Sequence, residues 1–232
     1  MFSSGYIMYY VLAGILSLIG FLVSNRLKSK FKHYGQIGLQ NGMTGKEVAE
    51  AMLRHYNIHD VKVVATKGML TDHYNPLTKT VALSEPVYGS RSISAAAVAA
   101  HECGHAVQHD TAYSMLKMRS ILVPVVNYAS MAQQWLLMLA LGAFGFGGGP
   151  TLLFITIIAF AITTLFSFIT LPVEFDASNR ALAWLDENRI LTEMEHEGAK
   201  DALWWAAMTY VSAALSALVI LLFLVLRYAS SD

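Results

Sequence analysis

Two stretches of the sequence, Leu152 to Leu171 and about Ala206 to Leu226, contain no Asp, Glu, Lys or Arg. About 20 apolar residues cross a hydrocarbon core about 30 Å thick, and inside it every backbone N–H and C=O must be satisfied within the protein. Helices meet that demand on their own, so both stretches predict spanning helices. Trp204 and Trp205 stand at one edge of the second stretch and Tyr228 at the other, an aromatic belt. Two further stretches approach the same length. One runs from about Tyr6 to Val23 and opens with Tyr6, Tyr9 and Tyr10; the other runs from about Ile121 to Leu141. Asn127, Gln133 and Gln134 make the latter unusually polar, which leaves a buried amphipathic helix as its other reading. Only 14% of the residues are charged, against about a quarter in soluble domains, as expected of a chain partly embedded in lipid. The opening residues, MFSSG, carry no Lys or Arg, so the basic start of a signal peptide is missing and the first stretch reads as a retained anchor.

Charge gives these stretches a direction. Of sixteen Lys and Arg, twelve lie in 24–120, three in 172–201 (Arg180, Arg189 and Lys200), and only Arg227 lies elsewhere. The positive-inside rule puts both segments in the cytoplasm and both termini outside. Four spans satisfy this, because 24–120 and 172–201 must share a side. The formal net charge is zero, which argues against a nucleic-acid partner. Cys103, the single cysteine, excludes an intramolecular disulfide and fits a reducing compartment.

The long segment between the first two stretches is large enough for a small domain. Thr44 and Glu47 have capping-box spacing, with Val48, Ala51, Met52 and His55 following at helical intervals. Val61 to Ala65 reads as a strand, Gly68 to Pro76 as a turn region, and Thr80 to Leu83 as a second strand. From Ser94, the run AAAVAAHECGHAVQH reads as one uninterrupted helix that ends about ten residues before the second span. Thr192 and Glu195 form another capping box, leading a helix into the fourth span. The glycine-rich GFGGGP at 145–150 reads as a turn between spans.

His101 and His105 are four apart, so both imidazoles stand on one helix face and can reach one zinc ion. Glu102, beside them, can take a proton from a water polarised by that metal. A catalytic zinc needs a third protein ligand and an open position. His109 continues along the helix about 6 Å past His105 and overshoots, while Gln108 and Thr111 rule out the three-histidine pattern. Glu174, in LPVEFDASNRA just past the third span, reads as the third ligand. Pro172 suits a helix start, so Glu174 would stand in a first turn with Ser178 one turn later. The competing reading of Glu174 is an acid stabilising that helix N-terminus. His73, Tyr74 and Asn75 are candidates for substrate or oxyanion contact, against a plain turn held by Asp72 and Asn75. His33, His55, His59 and His196 lack ligand spacing, and Cys103, roughly opposite His101 on the helix, reads as packing.

HECGHAVQH, the preceding DHYNP at 72–76, EFDASNRAL at 174–182 and the four-span layout together resemble the YugP-like membrane zinc peptidases. More distantly, the chain is similar to HtpX and the CAAX prenyl proteases, where the corresponding Glu is the third zinc ligand. In those relatives an Asp that orients a ligand histidine often follows four residues later; here that position is Ser178, and Asp176 is off register. The resemblance implies a gluzincin-type zinc fold with quality-control or processing roles. The fold class expected is a polytopic α-helical membrane protein with four transmembrane helices and a small α+β zincin-like catalytic domain. Its layout is a first transmembrane helix over 1–23, a cytoplasmic segment carrying HECGH over 24–120, and the second and third transmembrane helices over 121–171. A cytoplasmic helical segment with the third ligand follows over 172–201, then the fourth transmembrane helix and a short tail over 202–232.

The function expected is endopeptidase chemistry at the cytoplasmic membrane face, with one Zn2+ per chain and Glu102 as base and then proton donor. The substrate would be a protein or peptide, membrane-associated, with the bilayer as the other partner. An intramembrane-cleaving protease is the near alternative, and a non-catalytic zinc-binding scaffold a further one, against which the intact Glu102 speaks. A metal transporter would need ionisable ligands within the spans, and these hold only amides and hydroxyls.

Overall fold

Seven helices and one small sheet make up the computed structural model, which describes residues 4–140 and 149–230. The elements are α1 (Ser4–Tyr34), α2 (Gly45–His55), β1 (Lys62–Thr66), β2 (His73–Asn75), β3 (Thr80–Ser84), α3 (Glu85–Tyr88), α4 (Ile93–Asp110), α5 (Ser114–Ala140), α6 (Pro150–Glu187) and α7 (Glu193–Ala229). Residues 145–148 of the GFGGGP turn, and the first three of MFSSG, lie outside the described residues.

The chain is mostly helical. Among the described residues, α1, α6 and α7 are long and apolar enough to cross a membrane. α5 forms a helix over the second predicted stretch but is not among those three, and it carries the amides Asn127, Gln133 and Gln134. The described residues divide into two units: 4–23, 118–140, 149–171 and 209–230 form one, and 24–117 with 172–208 form the other.

In the second unit, α2 starts at Thr44 with the reciprocal capping box its sequence predicts. Its apolar face of Val48, Ala49, Met52 and Leu53 is buried. β1 and β3 pair in parallel, Lys62 opposite Thr80 and Thr66 opposite Ser84. β2 pairs antiparallel on the other side of β3, Tyr74 opposite Val81. The expectation of a turn at 73–75 is therefore corrected, since a three-residue edge strand stands there. A strand so short carries too little alternation to be read from sequence. Asp72 ties down its start by accepting from the Ser84 N–H at 2.7 Å.

α4 is the central element of this unit. Ser92 caps it, accepting from the Ala95 N–H, and nearly every side chain from Ile93 to Gln108 is buried. Cys103 lies in this core, its thiol against the Ala49 carbonyl. Alanine and glycine let other elements approach α4 closely. A Cβ added to Gly104 would stand 2.5 Å from the Ala177 carbonyl oxygen of α6. Only three residues separate α4 from α5, and Asp110 at the end of α4 stands about ten residues before Ile121, the interval the sequence predicts.

Two forces oppose each other at Gly104. Helix propensity favours alanine over glycine by about 1 kcal/mol, whereas overpacking a tight contact costs about 1–3 kcal/mol. Because the obstacle is backbone, the clash wins. Gly104→Ala is expected to lower the thermal midpoint of the purified protein in detergent, measured by scanning fluorimetry; a raised midpoint would show that α6 yields freely.

Candidate metal centre

On α4, His101 and His105 stand one turn apart, their rings 4.8 Å between centroids and nearly perpendicular. The third group comes from α6. Pro172 lies inside that helix and does not begin it, so the expected first turn at Glu174 is corrected. Proline removes one helical hydrogen bond, but the turns on either side carry the helix through. Glu174 is thus mid-helix, far from any N-terminal dipole, and 2% exposed. Its Oε2 lies 3.4 Å from Nε2 of His101 and 3.6 Å from Nε2 of His105. Among the described residues, these three form the group whose donor atoms all lie within 4.8 Å of one another.

Those separations test whether a metal fits. A tetrahedral zinc with N and O ligands at about 2.0–2.2 Å sets its ligands roughly 3.3–3.6 Å apart. The two separations measured to Glu174 fall on that range. Electrostatics agrees. Burial would push the Glu174 carboxyl up, but hydrogen bonds with His101 and His105 outweigh it and hold the group well below the usual carboxylate range. For His105, burial works against the charged ring, while Glu174, with lesser help from Glu102 and Gln108, raises its pKa. The cluster favours a positive charge at its centre, and a divalent cation meets the same demand that a proton otherwise would.

Both imidazoles are held from behind. Ser178 Oγ lies 3.1 Å from Nδ1 of His101. Gln108, which the sequence reading passed over, holds the other. Its Nε2 donates to the Val173 carbonyl and to Asp176, each at 2.8 Å, which turns Oε1 toward Nδ1 of His105 at 3.0 Å. An amide oxygen only accepts, so His105 carries its proton on Nδ1 and presents a lone pair from Nε2. Asp176, off register for touching a histidine directly, acts through Gln108 and also accepts from Arg180 Nε at 2.6 Å. The available signal was spacing: Gln108 follows His105 by three, a helix neighbour, in an otherwise apolar run.

The remaining candidates fall elsewhere. Glu102 is buried on α4 beside its two histidines. His73 turns its Nδ1 to the Thr71 carbonyl, and Asn75 Oδ1 accepts from the backbone of Leu77 and Thr78. His73 thus holds the segment before β2 and Asn75 the turn after it. Tyr74 instead reaches α4, its hydroxyl 2.8 Å from Nδ1 of His109. Burial raises its pKa to about 12, with smaller contributions from Asp60 and Asp110, so the phenol keeps its proton at neutral pH.

Comparison with known proteins gives the chain a family. Residues 9–229 match the family described as "Putative neutral zinc metallopeptidase". The chain is 42% identical over 204 residues to "Putative membrane protease YugP" of Bacillus subtilis (strain 168), covering 88% of this chain and 89% of that protein. No solved structure matches it.

Removing the group behind a ligand histidine typically weakens metal affinity about 10–100-fold. Gln108→Ala is expected to do so for zinc, read by titration against a chromogenic chelator, while far-UV circular dichroism keeps its helical signal. Wild-type affinity would mean that His105 holds its orientation without the amide.

Proposed function

The chain belongs to this YugP-like family of zinc peptidases, and on that premise we propose that it is a membrane-embedded endopeptidase of the gluzincin type, with a single zinc held by His101, His105 and Glu174. The observation that carries the reading is a Glu174 carboxylate oxygen at tetrahedral spacing from both imidazole nitrogens, beside a glutamate in HECGH. Zinc bound there supplies Lewis acidity, lowering the pKa of water toward 7 and polarising the scissile carbonyl.

The rest is done by the chain itself. Glu102 takes the proton from the attacking water and passes it to the departing amine nitrogen. Two neutral imidazoles and one carboxylate leave a bound dication with net charge +1, so it stays electrophilic. Ser178 and Gln108 keep the rings turned inward. The burial of Glu102, His105 and Glu174 keeps bulk water from competing.

The protein is read as multi-pass in the cell membrane, with α1, α5, α6 and α7 as its four spans. Its zincin-like segments, within 24–120 and 172–201, face the cytoplasm, and both termini lie outside. Support comes from fifteen of the sixteen basic residues lying in those two ranges. Such a protease would act on membrane-associated proteins, in their processing or quality control.

Glu102→Gln is expected to abolish cleavage of casein or a membrane-protein substrate while zinc content stays at one per chain; full activity in the pure variant would sink the hydrolytic mechanism. Zinc titration ranks the third ligand. Glu174→Ala should lose at least about tenfold in affinity and His109→Ala almost nothing, whereas the reverse order would assign the position to His109. Topology has its own test. In a Cys103→Ser background, single cysteines replacing Lys67 or Arg189 should react with an impermeant maleimide only after lysis, and labelling of intact cells would refute a cytoplasmic site.

A further inference from the structure

The depth of the site can be read from helix levels. The apolar run of α6 ends at Leu171, and Glu174 follows three residues later in the same unbroken helix, a rise of about 4.5 Å. On α7, charge ends at Asp201 and the apolar run begins after Trp204 and Trp205. Contacts within the second unit tie these positions together. Phe175, the neighbour of Glu174, packs against Trp204 with ring centroids 6.4 Å apart. From α1, the Arg26 guanidinium lies 5.6 Å from the ring of Trp205, and one turn further from the apolar run Lys30 pairs with Asp201 at 2.5 Å. The two α1–α7 contacts keep step along both helices, so three helices pass from apolar to charged at one level. Trp and Tyr gather at that boundary in membrane proteins, and Trp204 is 54% exposed where lipid headgroups would meet it.

From this we infer that the metal centre lies within the interfacial layer of the bilayer, level with Trp204, and that its substrates are peptide bonds in the first few residues beyond a membrane anchor. The inference rests on the peptidase reading for its chemistry and on α6 and α7 as spans for its geometry. The interfacial layer is about 5–8 Å deep on each side, so a carboxylate about 4.5 Å past the apolar run lies inside it. An anchored substrate needs to cross roughly one helix width, about 10 Å, to reach the metal. Three extended residues cover that at about 3.3–3.6 Å each.

Two measurements test this, one of them independent of catalysis. In nanodiscs and a Cys103→Ser background, spin labels at Leu215, Trp204 and Arg189 report oxygen against water-soluble nickel accessibility. The label at Leu215 should read as hydrocarbon, that at Arg189 as water, and that at Trp204 between them. A Trp204 label matching either reference overturns the depth. The second measurement uses anchored substrates in which one cleavable sequence stands 4, 15 or 30 residues beyond a transmembrane helix. Cleavage should be fastest at 4 residues and fall about twentyfold by 30, as effective concentration declines with the −3/2 power of length. Cleavage at 15 and 30 but none at 4 would put the metal well above the membrane and overturn the inference with the peptidase reading intact. If no substrate of any length, soluble casein included, is cleaved by the zinc-loaded protein, the peptidase reading fails, and the spin labels alone decide the depth.

Discussion

The backbones of α4 and α6 touch where Gly104 faces the carbonyl of Ala177, and the rest of the site depends on that contact. One residue from Gly104 is His105; three from Ala177 is Glu174. Any side chain at 104 would push the two helices apart by a good fraction of an ångström. The 3.4 and 3.6 Å separations between the carboxylate and the imidazoles would open with them. Metal geometry tolerates only about 0.2 Å in bond length, so a glycine with no metal-binding atom of its own decides whether the ligands can meet.

Bringing a carboxylate into that contact has an energetic cost. An ion moved into a protein interior loses several kcal/mol of hydration even after relaxation, and Glu174 is almost wholly enclosed. What offsets this is positive charge from His101 and His105, or a cation shared among all three. The same attraction explains why both histidines need anchors. A ring drawn toward Glu174 must still present Nε2 and not Nδ1, and Ser178 and Gln108 decide that from behind. Gln108 serves both ligand-bearing helices, because its amide also donates to the carbonyl of Val173, next to Glu174. The polar network crosses between helices where the backbones are closest.

One helix, α6, carries both a long apolar run and the carboxylate of the candidate site. The helix that carries Glu174 is uncharged from Pro150 to Val173, and Pro172 within that run does not end it. Glu174 follows Leu171 by three residues in the same helix.

Much of this protein was legible in local pattern. Uncharged runs determined the long apolar helices, because lipid leaves the backbone no other arrangement. His101 and His105 at four-residue spacing determined a shared helix face, and Thr44 with Glu47, like Thr192 with Glu195, determined a helix start. All of these are interactions within about one turn, where sequence distance and spatial distance coincide. What only the tertiary structure decided lies at long range. Ser178 meets His101 across 77 residues, and Gln108 meets Val173 across 65. Tyr74 turns to His109 while its neighbours His73 and Asn75 bond to the chain before and after β2, a division that depends on where β2 runs beside α4. Pro172 reads locally as a helix start, yet it lies within α6, since the apolar turns before it and the packed turns after it outweigh one lost hydrogen bond. Periodicity determines which face of a helix a residue occupies; only packing determines what that face meets.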